Sequence, residues 1–215
     1  MLAEFLPLFT AAFVTFFVLI DAPGVSPVFA SLTAKGDGAY RRSMAVRSVF
    51  VATIIIFGFA FGGAWLLDKL HITIDAFRAA GGILLFIIAL DMVFEKRTER
   101  RENRAESVLA QEGERGAPED ISVFPLGIPM LAGPGSIATA MLYMSETQSW
   151  VGKSAVLSAI GLNMLVCLAM FLLAGPIVKL VGDSIAGAIT RIFGVILAAL
   201  SVQLLIDGIK GAFGL

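Results

Sequence analysis

The sequence predicts an all-α integral membrane protein of six transmembrane helices, built as two inverted three-helix repeats with helices 1 and 4 discontinuous. Three observations carry this. Hydrophobic residues make up 58% of the 215 residues against 15% charged, the charges are clustered between long apolar stretches, and the halves on either side of one charged linker resemble each other. A mean hydropathy of +0.89 is too apolar for a water-soluble domain of this length. The net charge of −1 argues against nucleic-acid binding, which needs a clear Lys/Arg excess on one surface. One His and one Cys leave little for a metal site or a disulfide framework. No cofactor is expected beyond a coupling ion, proton or sodium.

Helix 1 is predicted over 4–32, since Phe5 to Ile20 is free of charge. No basic segment precedes it, so it reads as a retained helix rather than a cleaved signal peptide. Helix 2 (43–67) contains the uncharged run Ser48–Leu67, and helix 3 (75–95) is apolar except for Arg78 and Asp91 near its ends. Helix 4 (121–145) is uncharged from Ile121 to Ser145. Helix 5 (152–180) is uncharged from Ser154 to Val178, and helix 6 (184–210) from Ile192 to Ile206. Asp91 and Asp207 read as interfacial, and Cys167 in helix 5 as a packing residue.

Between the halves, 95–120 holds six basic and eight acidic residues with Gly113, Gly116 and Pro118. Such a composition cannot bury a core of its own, so a mobile, solvated connector is expected. The organisation is therefore 1–94, a linker 95–120, and 121–215. Twelve basic residues fall in the loops after helices 1, 3 and 5, against four on the other side. The positive-inside bias puts the linker in the cytoplasm and both termini outside.

The repeat is legible in a few residues. Arg78-Ala-Ala-Gly81-Gly82-Ile-Leu84 aligns with Arg191-Ile-Phe-Gly194-Val-Ile-Leu197 at an offset of 113, and Pro23-Gly24 matches Pro134-Gly135 at 111. Three spans per repeat force the second copy to enter from the opposite side, a symmetry typical of secondary transporters.

Both Pro-Gly steps interrupt apolar spans. Helix 1 carries Asp21-Ala-Pro23-Gly24-Val-Ser26-Pro27, and helix 4 carries Pro129-Met-Leu-Ala-Gly133-Pro134-Gly135-Ser136. Gly133 lies about 20 Å into its span at the helical rise, where irregular backbone is tolerated only when buried in protein or lining a cavity. New half-helices are expected to start with Ser26 as N-cap ahead of Pro27, and with Ser136 as N-cap ahead of Ile137. Two inward-pointing N-termini suit a carboxylate, and the preceding carbonyl ends suit an ammonium group or a cation. The alternative is that these prolines only kink the helices for packing.

Asp21 adjoins the first break and is a candidate for the substrate ammonium or a coupling proton; the alternative leaves it hydrated at the headgroups. Thr139, Asn163 and Gln203 are candidates for the cavity wall or for interhelical hydrogen bonds. An intramembrane enzyme is disfavoured, because His71 falls in an external loop and no Lys lies at membrane depth to activate Ser136. A channel remains as an alternative that lacks charge rings or a carbonyl filter.

The stretches Phe124-Pro-Leu-Gly-Ile-Pro-Met-Leu-Ala-Gly-Pro-Gly-Ser-Ile137 and Asp21-x-x-Gly24-x-x-Pro27-Val-Phe29 resemble the two signature segments of the MarC family of bacterial inner-membrane proteins. In the Asp21–Phe29 segment Ala22 and Val25 replace the family's usual Pro and Asn, with Pro23 beside them. The resemblance implies a six-span inner-membrane transporter of small neutral amino acids such as glycine and alanine. The substrate would be held by Asp21, Pro23, Gly24, Ser26, Pro27, Gly133, Pro134, Gly135, Ser136, Thr139 and Asn163. The expected partners are the lipid bilayer and that substrate; a homo-oligomer is compatible with the sequence.

Overall fold

A computed structural model describes the backbone of residues 2–115 and 120–214, and their side chains apart from 108–109, 111–115 and 177–184. All described elements are helical: α1 (Leu2–Ile20), α2 (Ala22–Leu32), α3 (Gly38–Lys69), α4 (Ile74–Val93), α5 (Lys96–Arg115), a π-wound segment π1 (Ser122–Leu131), α6 (Pro134–Glu146), α7 (Trp150–Leu172) and α8 (Ala174–Phe213). Side chains of Asp37, Thr73 and Ser149 accept the N–H groups of Tyr40, Ala76 and Gly152, capping α3, α4 and α7.

Five stretches are long and apolar enough to cross a bilayer: Leu2–Leu32, α3, α4, α7 and Ile185–Phe213. The pair π1 and α6, bent by 58°, makes a sixth if counted as one span. The all-helical, multi-span architecture expected from composition is therefore present. Large apolar side chains such as Trp65, Ile87, Leu165 and Val195 face outward, as lipid contact allows.

Two boundaries differ from expectation. The turn expected near 181–183 lies inside α8, and the chain instead breaks at Leu173. Pro176 explains this: it has no N–H for the carbonyl four residues back, Leu172, where α7 ends. The connector is also different, because 96–115 forms α5. Residues 116–119, including Gly116 and Pro118, lie outside the described residues. α5 builds no core of its own, yet it is not a free connector: Arg97, Arg101 and Ala105, spaced four apart on one face, dock on the rest of the bundle, with Arg101 and Ala105 buried.

Packing joins the halves. α1 lies on α7, α3 lies on π1 and α6, and α4 and α8 form the most extensive pair. α4 and α8 approach closely because of small residues: a Cβ on Gly82 would fall 2.7 Å from the Ser201 carbonyl oxygen, and one on Gly208 2.6 Å from the Ala79 nitrogen. The main core gathers Phe16, Phe29, Ile56, Leu126, Leu131 and Ile160. Phe29 stacks on Phe171 at 4.4 Å between centroids. Cys167 is buried within this core.

Candidate functional site

The first interruption is a single residue. Pro23 cannot donate to the Leu19 carbonyl, so the helix stops at Ile20 and Asp21 takes a left-handed conformation at φ 57°, ψ 55°. The Asp21 carboxylate then accepts the Gly24 N–H at 3.2 Å and caps α2. The N-cap is thus Asp21 rather than Ser26, which lies inside α2 and donates to the Ala22 carbonyl at 2.7 Å. The physical reason is that the chain is already helical at Ala22, with Pro23 in the first turn where a missing N–H costs nothing.

The orphaned carbonyls of α1 are met by α5. Arg97 donates to the Leu19 oxygen at 2.8 Å and Arg101 to the Ile20 oxygen at 3.4 Å. Arg101 also forms an ion pair with Asp21 at 2.9 Å, with side chains 6% and 0% exposed. The Thr190 hydroxyl of α8 lies 3.0 and 3.1 Å from the two Asp21 oxygens. Asp21 is therefore neither hydrated nor free: it is closed by a cation, a hydroxyl and its own helix. Gly24 makes room for this closure, since a Cβ there would fall 2.3 Å from Asp21 Oδ2 and 2.5 Å from Thr190 Oγ1.

The second interruption is longer. Phe124 and Ile128 are extended and each precedes a proline in a cis peptide, while Leu126 and Ala132 bond carbonyls five residues back. Asp120 anchors the start: Ser122 donates to it through its hydroxyl and, at 2.9 Å, through its N–H, and Arg47 pairs with it at 2.8 Å. The Ser122 hydroxyl first, with the Ser122 N–H and Arg47, holds the Asp120 carboxyl below the usual range. α6 begins at Pro134 with Gly133 as N-cap and no side-chain cap. Ser136 is thus not the N-cap; it sits in the first turn and donates to the Leu131 carbonyl at 3.1 Å. Pro134 at the first helical position pre-sets the start two residues earlier than expected.

The α6 start faces a cavity of about 360 Å³ between α4, α5 and the second break, lined by Gly133–Ser136, Pro129, Leu19, Asp91 and four arginines of α5. Among those arginines Arg100 pairs with Asp91, and Arg104 lies 5.9 Å from the Phe124 ring centre. Burial first, then the neighbouring Arg101 guanidinium, push the Arg97 pKa down to about 9, which leaves it cationic at neutral pH.

The residues expected to share one site are dispersed over the bundle. Gly133, Pro134, Gly135 and Ser136 line the cavity. Asp21 and Gly24 are one ion pair away, through Arg101. Pro23 and Ser26 lie along α2, and Pro27 borders a separate hollow facing Glu102 and Glu106. Asn163 donates to the Phe13 carbonyl at 3.1 Å and the Ala159 carbonyl at 2.9 Å, binding α7 to α1. Thr139 is buried, and its hydroxyl has no partner among the described residues. Gln203 is exposed and donates to Asp207. Arg97, Arg101 and Thr190 were missed. The signal for the arginines was available, because a proline at 23 leaves the carbonyl at 19 in need of a donor.

Comparison with known proteins agrees with this architecture. The model of the MarC family integral membrane proteins matches residues 6–213. A "UPF0056 membrane protein" of Methanocaldococcus jannaschii is 36% identical over 204 residues, covering 95% of this chain and 97% of the relative. One from Archaeoglobus fulgidus is 32% identical, covering 97% and 95%. One from Escherichia coli is 33% identical, covering 96% and 94%. No solved structure matches.

Proposed function

The chain belongs to the MarC family of integral membrane proteins, and from that premise we propose that it is a secondary transporter of small polar solutes. The observation that carries this reading is the uncapped start of α6, opening on a cavity of about 360 Å³ between α4, α5 and the second break. Backbone of this kind at membrane depth serves a solute path better than it serves packing. Small neutral amino acids of glycine or alanine size are the first substrates to test, with proton or sodium as coupling ion.

Alternating access between two inverted repeats is the mechanism we favour. In its support, the pairing α1 with α7, α3 with π1 and α6, and α4 with α8 maps onto itself when the two halves are exchanged. α2 and α6 both carry a Pro-Gly step in the first turn, 23–24 and 134–135. In this reading the two breaks are discontinuous halves of one transport site. The Asp21–Arg101 pair is a latch that must open before Asp21 can meet a substrate ammonium or a proton. The charge bias supports an orientation in the inner membrane with α5 cytoplasmic and the termini outside. We read the protein as a carrier and not an enzyme, since neither His nor Lys is among the residues lining the cavity and the Ser136 hydroxyl is held by the Leu131 carbonyl.

Proteoliposomes loaded with unlabelled glycine test the reading. Uptake of labelled glycine or alanine by saturable counterflow is expected, and Ser136→Leu is expected to abolish it. Conductance without saturation would make the protein a channel. A panel of neutral amino acids, none of which exchanges, would remove the amino acid assignment.

A further inference from the structure

The cavity at the second break is unbalanced in charge. Four guanidinium groups line it, Arg97, Arg100, Arg101 and Arg104, against the single lining carboxylate of Asp91. Asp91 is engaged by Arg100, and Arg101 is engaged by Asp21 behind the wall. Arg97 and Arg104 have no carboxylate partner among the described residues. Arg97 is only partly exposed and directs two contacts to the Leu19 carbonyl and the Met92 sulfur, which leaves further N–H donors unused. Asp21 and Asp91 lie near enough to favour the Arg97 charge without contacting it, and the remaining cost of drawing the guanidinium out of water is relieved when an anion enters.

The α6 start adds to this in the same cavity. Pro134 has no N–H and the Ile137 N–H bonds the Gly133 carbonyl, so Gly135 and Ser136 hold the free donors of the first turn. Both residues line the cavity, and no side chain caps the helix. Leu84, Ile87 and Ile88 form the opposite, apolar wall. The cation-binding half of a zwitterion site is missing here, because Asp91 and Asp21 are both already paired with arginines.

We propose that this cavity is an anion site, taking a ligand that carries a carboxylate or phosphate group between Arg97 and the first turn of α6. The inference deepens the transport reading, on which it rests for the identity of the cavity as the solute site, by changing the ligand from a net-neutral to a net-anionic species. The anionic group has two sources, a free metabolite in the cavity or the headgroup of an anionic lipid whose chains lie on the Leu84 and Ile87 wall.

The test is calorimetric titration of the full chain in non-ionic detergent at low chloride, with succinate, inorganic phosphate and glycinamide as probes. A parallel arm compares melting temperatures in nanodiscs of phosphatidylglycerol and of phosphatidylcholine. Saturable binding of succinate or phosphate, absent for glycinamide and weakened roughly tenfold or more by Arg97→Gln, is the expected result. Arg97→Lys should fall between, and Arg42→Gln, exposed on another face, should change nothing. Should Arg97→Gln fail to fold, Gly133→Asp reads the same site by seating a carboxylate on the free donors. Stabilisation by phosphatidylglycerol alone, dependent on Arg97, would assign the anion to a lipid headgroup. No response to any anion in either arm, or responses indifferent to Arg97 and Gly133, would overturn the proposal. Anion binding without exchange would sink the transport reading and leave this one standing. Glycine exchange untouched by Arg97→Gln, with no anion bound, would do the reverse.

Discussion

The two interrupted spans use the same local device and end in opposite electrostatic states. At the first, the N-cap is Asp21, two residues before Pro23; its carboxylate caps the α2 start and is itself closed by Arg101 and Thr190. At the second, the N-cap is Gly133, no described side chain hydrogen-bonds to the α6 start, and arginines line the cavity beside it. One break carries its own anion; the other presents donors to whatever enters. The difference shows that a proline sets where a helix stops, while the capping residue decides whether the stop is sealed or available.

Removing the seal should have the largest effect. Asp21→Ala leaves the Arg101 guanidinium buried and unpaired, at an expected cost of about 3–5 kcal/mol, read by thermal unfolding in detergent. Adding Arg101→Met should recover much of that loss; a single-variant cost under about 1 kcal/mol would mean that the pair behaves like a surface bridge. Next, Gly24→Ala forces a Cβ against Asp21 and Thr190 and should cost about 1–3 kcal/mol. Gly161→Ala, with nothing within 4 Å of the new Cβ, should instead gain up to about 1 kcal/mol. Equal effects at the two glycines would remove the close approach as an explanation.

Gly133→Asp makes the second break resemble the first. Anion affinity should fall roughly tenfold and the melting temperature should drop, because the added Cβ falls 2.9 Å from the Pro129 oxygen and that backbone carbonyl must shift. Asn163→Leu, away from both breaks, should cost only about 0.6 kcal/mol and leave glycine exchange unaltered; loss of exchange would bring Asn163 back into the site. The smallest effect belongs to Asp120. Its carboxyl is held below the ordinary 3.8, chiefly by the Ser122 hydroxyl, so its stabilisation is present above 3.8 and is lost as pH falls through the lowered value. Asp120→Asn should flatten that acid-side slope, and the half-exposed bridge to Arg47 should account for about 0.2–1 kcal/mol.

Particular elements show how far the sequence could be read. The interruptions at 21–24 and 133–136 were legible because proline's missing N–H acts on the carbonyl four residues back, whatever surrounds it. The same rule applied to Pro176 would have placed the turn at Leu173 instead of 181–183. The capping residues were misassigned because Ser26 and Ser136 look like caps in isolation, and only the path of the chain decides which residue stands first outside the helix. α5 was the largest miss: read as a solvated connector from its charges, it is a helix whose arginine face completes the first break and lines the second.

By itself, then, the sequence determined the membrane class, the number of apolar spans to within the bent pair, and the points where the backbone gives way. These depend on composition and on covalent geometry, both local. Only the tertiary structure decided which charge stands at which break. Asp21 meets Arg101 across 80 residues and Thr190 across 169, and no periodicity encodes a pairing over that distance. The carbonyls that Pro23 frees need a donor in any fold, and it took the docking of α5 to say that the donors are guanidinium groups, of which Arg101 is paired with Asp21 and Arg97 contacts no carboxylate among the described residues.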